Sequence, residues 1–124
     1  MAKSVHDDVL DAALNYIKNN CTRLTVCSTQ PTTYTEGNAT YALADVTVDT
    51  GDFAVANGDT SGRKLTIAAQ SAVPVDASGT AAHVALLDVS GSKLLYVTTC
   101  TSQVLTSGNT VTVPAWDIEI ADPS

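Results

Sequence analysis

Ala82-His-Val-Ala-Leu-Leu-Asp-Val-Ser-Gly-Ser-Lys-Leu-Leu-Tyr-Val-Thr-Thr-Cys100 reads as two β-rich runs folded back on each other at Ser90-Gly91. Successive residues of a strand point to opposite faces of its sheet. Leu86 beside Leu87, and Leu94 beside Leu95, therefore place apolar side chains on both faces of neighbouring strands. A sheet with one face in water would alternate apolar and polar residues instead. Both faces of this hairpin must be covered, by a helix, a second sheet or a neighbouring subunit.

Downstream, a short Val104-Leu105 piece, a Ser107-Gly-Asn109 turn and the run Thr110 to Ile120 continue an antiparallel meander. Trp116, Ile118 and Ile120 alternate with Asp117 and Glu119, which puts acid on one side of the last strand and discourages stray pairing. Pro114, which cannot donate to a ladder, marks a bulge or an edge. Upstream, Arg23 to Ser28, Tyr41 to Asp49, Leu65 with Ile67, and Val73 with Val75 read as strands, and Asp76-Ala-Ser-Gly79 as a turn. Gln30 to Thr40, with Pro31, Gly37 and Asn38, reads as a polar loop. Thr50 to Gly62 reads as a long surface loop anchored by Phe53-Ala-Val55.

The N-terminus differs in period. Ser4 is placed to cap a helix, with Asp7, Asp8 and Asp11 suited to its dipole, and Val5, Val9, Leu10, Ala13, Leu14 and Ile17 form an apolar stripe that ends at Asn19 and Asn20. The expected fold is mainly β: an antiparallel β-sandwich or barrel-like meander with one N-terminal amphipathic helix. Residues 1–124 are read as a single domain, helical over about 4–19 and β-rich over 23–120.

Composition narrows the function. Six Lys and Arg against thirteen Asp and Glu give a formal charge of −7, and the cations are scattered, so a phosphate backbone would be repelled and no nucleic-acid contact is expected. The start lacks an apolar run and no stretch approaches a membrane span, so neither a secretory signal nor a membrane contact is expected. The Asn20-Cys-Thr22 and Asn38-Ala-Thr40 triplets then read as chance glycosylation matches.

No catalytic residue, cofactor or metal is assigned. Cys21, Cys27 and Cys100 with His6 and His83 match no zinc spacing. Cys27 and Cys100 read as small apolar strand residues, and they are also the pair that a disulfide would use. His83, with Asp88 five residues on, is what a small hydrolase would employ, but no G-x-S-x-G elbow accompanies it and it reads as a strand histidine. Asp45, Asp49, Asp52 and Asp59 lack EF-hand spacing and read as solvated carboxylates. The aromatics are too dispersed for base stacking and read as packing residues. A recognition surface, if present, would sit on the Gln30–Tyr41 and Thr50–Gly62 loops. Val9, Leu87, Leu95 and Trp116 are the residues expected at a subunit interface.

The order of these segments resembles a group of small tailed-bacteriophage virion proteins. The resemblance is carried by Ala81-Ala-His-Val-Ala-Leu-Leu-Asp88, Lys93-Leu-Leu-Tyr96, the Thr-rich strand to Thr101, and Ser107-Gly-Asn-Thr-Val-Thr-Val-Pro-Ala115, behind a short helix and a strand that leads to Pro31. It implies a non-enzymatic virion subunit made in the host cytoplasm. Such a subunit would be a capsid decoration or cement protein or, alternatively, a tail- or fibre-associated receptor-binding module. Its partners would be further copies of itself and the major capsid protein or tail and neck proteins. A disulfide between virion subunits would also suit the cysteines.

Overall fold

The structure is a computed structural model that describes residues 4–122. Helix α1 spans Asp7–Asn20. Its cap is His6 rather than the expected Ser4: Nδ1 of His6 accepts the Asp8 N–H at 3.0 Å, and Asp7 and Asp8 lie in the first turn. Leu10 and Leu14 are buried, whereas Val9 from the same stripe faces solvent at 62% exposure.

Nine strands follow among the described residues, all paired antiparallel. They are β1 (Arg23–Cys27), β2 (Ala42–Thr47), β3 (Phe53–Asn57), β4 (Arg63–Ile67), β5 (Gln70–Pro74), β6 (Gly79–Asp88), β7 (Lys93–Leu105), β8 (Thr110–Val113) and β9 (Trp116–Ile120). The order β2-β1-β6-β7 makes the largest sheet, and a bridge from Ala44 to Val75 continues it to the β5-β8 pair. A third sheet has the order β3-β4-β9. The mainly β, antiparallel architecture with one N-terminal helix agrees with the reading of the sequence.

The β3-β4-β9 sheet has one wet face. Leu65, Ile67, Phe53 and Ile118 turn inward, while Lys64 turns outward to Asp59 at 2.8 Å and to Asp117 at 3.6 Å. Helix α1 lies against β3 and β4, where Arg63 Nε donates to Asp11 Oδ1 at 2.8 Å. One core then runs from Leu14 through Leu24, Val84 and Leu86 to Leu65, Val73, Val111 and Ile118. The expected loop over 50–62 is therefore largely a strand and a turn, because Phe53 is core and β3 pairs with β4. Asp49 and Asp52 close the short 3₁₀ turn Thr50–Asp52 as a reciprocal capping box.

The other face of the large sheet carries a second, smaller core of Cys27, Ala85 and Leu87, packed against Tyr34, Tyr41, Leu94 and Val97. The doubled leucines are thus explained, as the sequence required, but the cover is neither a second sheet nor a neighbour. The chain's own segment 28–41 lies over this face, with Pro31 and Gly37 buried and residues Glu36–Thr40 wound into one π-helical turn. A β-carbon at Gly37 would stand 3.2 Å from Leu87 Cδ2 and 3.3 Å from Leu94 Cδ1, so the backbone approaches closely enough that any side chain there would have to displace these methyls.

Local hydrogen bonds hold the cover. Glu36 Oε1 accepts from the Thr32 N–H at 2.9 Å and the Thr32 hydroxyl at 2.8 Å, and Arg23 Nη1 donates to Asn38 Oδ1 at 2.6 Å. The two Thr32 bonds hold the Glu36 carboxyl below its usual range. Its contribution to stability is complete above the ordinary value of 4.5 and is lost as falling pH protonates the folded state. Urea midpoints measured from neutral pH down through the acid range are expected to fall less steeply for Glu36→Gln than for the unaltered chain.

Two further differences sit in the last third. Val104-Leu105 is the end of one strand, β7, and not a separate piece. The run Thr110–Ile120 is broken at Pro114-Ala115, so β8 and β9 belong to different sheets. The β6–β7 ladder also slips: Ala81 pairs with Gln103 and His83 with Thr99, so residues 100–102 bulge out opposite Ala82.

Candidate functional site

His83 lies on β6 directly opposite Cys27 of β1 and Thr99 of β7. It is half-buried, and its Nδ1 is buried without a hydrogen-bond partner. Five residue steps, about 16 Å of extended chain, separate it from Asp88. Asp88 is 7% exposed and accepts the Gly91 N–H at 3.0 Å, so it closes the β6–β7 turn. The two cannot act as a pair.

A Cys–His nucleophile is disfavoured as well. The thiol of Cys27 is fully buried beside Thr25 and 3.7 Å from the Gly37 carbonyl, and burial pushes its pKa up, which keeps it protonated. Burial likewise raises Cys100, and it pushes Cys21 up to about 11. All three are free thiols.

A disulfide between Cys27 and Cys100 of one chain, the pair that the sequence left open, is not formed, for a geometric reason. Cys27 belongs to the small core on one face, Cys100 packs against the main core on the other, and β6 lies between their strands. Two interstrand spacings come to roughly 9.5 Å, beyond the reach of one disulfide. With a thiol reagent at neutral pH, Cys21 and Cys27 are expected to react only after unfolding, whereas half-buried Cys100 reacts in the native chain. Quantifying label per peptide by mass spectrometry checks this.

The carboxylates also disperse into structural roles. Asp49 and Asp52 cap a turn, Asp59 pairs with Lys64, and Asp45 sits near Asp76 and Arg23. Burial foremost, then the Asp76 charge, pushes Asp45 up. Among the described residues, no three His, Cys, Asp or Glu side chains gather as a metal site.

Apart from an open hollow between α1, residues 32–34 and residues 93–95, there is a cleft on the β7 side. It runs between residues 98–103 of β7 and 111–117 of β8 and β9, as two adjoining cavities of about 250 and 280 Å³. Val84, Cys100, Val113 and Pro114 line both, with Gln103 at one end and Trp116 at the other. Its floor is apolar and reaches the main core. β7 ends its sheet, and among the described residues no backbone hydrogen bond crosses from it to β8 or β9. The Trp116 ring lies 6.0 Å from that of Tyr96, and its Nε1 is buried and unpaired.

The four residues expected at an interface do not share a surface. Val9 is exposed on α1, and Leu95 and Trp116 are half-buried against the main core. Leu87 is 0% exposed beneath Gly37, so it faces the chain's own cover and cannot reach a partner in this fold. Sequence reasoning missed Tyr96 and Val104 on β7, which are 36% and 77% exposed. The available signal was the absence of charge from residue 94 to 116, the longest such run in the chain.

The fold and cleft define the chain as an antiparallel β-sandwich-like domain with a helix at its N-terminus and an open strand edge. Comparison with family models, curated proteins and solved structures found no significant match. Among the described residues no helix is long and apolar enough to cross a membrane.

Proposed function

We propose that this chain is a non-enzymatic structural subunit of a tailed-bacteriophage virion, a decoration or cement protein that stabilises the capsid shell through the major capsid protein. The reading is carried by one observation: the groups that chemistry would need are kept apart or buried. His83 and Asp88 are kept apart, Asp88 closes a turn, and the thiols are held protonated by burial. The resemblance in segment order supports it, and its principal segments build the long β6–β7 hairpin.

The alternative of a receptor-binding module on a tail or fibre loses support from the placement of its loops. Gln30 to Tyr41 is folded down over the sheet, and Thr50 to Gly62 is mostly hairpin. Mass spectrometry of purified particles is expected to detect the chain, and added protein is expected to bind shells that lack it. Failure to bind such shells, or its absence from particles, overturns the reading.

A further inference from the structure

Two copies of a chain that carries −7 repel wherever their surfaces are charged. Residues 94–116 offer them a neutral meeting place. We infer that the free edge of β7, with the cleft beside it, is the contact surface for a second copy of this chain, the two meeting about a two-fold axis.

Three features of that strip favour a like partner. β7 is the longest strand and leaves one side without backbone partners, and an antiparallel copy of the same edge presents the complementary donors and acceptors. Natural edge strands are commonly guarded by charge, yet here only Lys93 at the start of β7 is charged. Large apolar side chains are exposed at Val9, Tyr16, Tyr96 and Val104, and the last two flank this edge.

The bulge at residues 100–102 and a second register slip at Leu95 confine regular pairing to Tyr96–Thr99. Beyond the bulge Gln103 turns to an apolar cleft able to take side chains from the partner, and Val104 is exposed on the opposite face. A contact made on neutral surfaces between like-charged bodies strengthens as salt screens the remaining repulsion, the reverse of an ion-paired interface.

The inference rests on the subunit reading for its biological sense, and its test is independent of particles. Light scattering on the full chain over a range of concentrations is expected to show a mass rising to twice 12.8 kDa, with association tighter at high ionic strength. Thr98→Asp, inside the regular run and beside the axis, places two like charges close together and is expected to weaken dimerisation by roughly tenfold or more. Thr99→Asp, on the exposed edge of the regular run, is expected to do the same. Val9→Asp, exposed on α1, is expected to leave it unchanged.

A chain that stays monomeric throughout overturns the inference. So does dissociation by Val9→Asp with none by the two β7 variants. Dimerisation through β7 by a chain that fails to bind shells would uphold the contact and overturn the virion reading instead.

Discussion

Leu87→Ala is expected to destabilise the isolated chain about as much as Leu86→Ala does, by roughly 2–5 kcal/mol each. The two leucines are neighbours in sequence and point to opposite faces of β6, and both are 0% exposed. Leu86 pairs across from Leu24 within the main core, and Leu87 lies in the smaller core under segment 28–41. Truncation at either position removes buried methyl groups and leaves a cavity that the surrounding strands can only partly fill. Were Leu87 a surface residue awaiting a partner, its truncation would cost a monomer almost nothing. Equilibrium urea unfolding at low protein concentration, where association is negligible, separates the outcomes. A shift in midpoint for Leu86→Ala alone would mean that the cover does not exclude water.

Gly37→Val is expected to lift the cover and cost roughly 1–3 kcal/mol. The first added carbon already meets Leu87 Cδ2 at 3.2 Å and Leu94 Cδ1 at 3.3 Å, and two more methyl groups would have to enter the same space. Gly37→Ala adds only the first and is expected to cost less, since leucine methyls can yield by a few tenths of an ångström. The melting temperature of the valine variant should fall by several degrees, at about 3–5 °C per kcal/mol for a chain of this size. Hydrogen exchange should also speed up over residues 30–41 in the valine variant before it changes in β4 or β9. An unchanged melting temperature would show that segment 28–41 does not rest on the sheet as described.

Both predictions concern the segment whose role local chemistry conceals. Pro31, Gly37 and Asn38 among threonines are turn formers, and turn formers give a loop its shape without stating what it lies on. The doubled leucines gave the need for a cover, since side-chain direction along a strand follows from backbone geometry alone. Which part of the chain met that need depended on contacts between residues far apart in sequence, such as Gly37 with Leu87. The Thr50–Gly62 region was obscured for a related reason: five residues of strand among glycines and aspartates have too short a period to outweigh the turn signals, and β3 is held by pairing with β4.

The candidate surface divides in the same way. The missing charge between residues 94 and 116 is a property of the sequence, but it marks a surface only because β7 ends its sheet and stands across a cleft from β8 and β9. The thiols show the converse. Their number was legible, but their separation by β6 and by the two faces of the sheet was not.

By itself, then, the sequence determined the helix, the antiparallel β class, the two-faced hairpin and the acidic character, because each follows from local periodicity or from a sum over residues. Only the tertiary structure decided that the second face is covered from within, that Cys27 and Cys100 stay apart, and that one strand edge remains open. Each of these depends on which distant segments meet, and no local pattern encodes that.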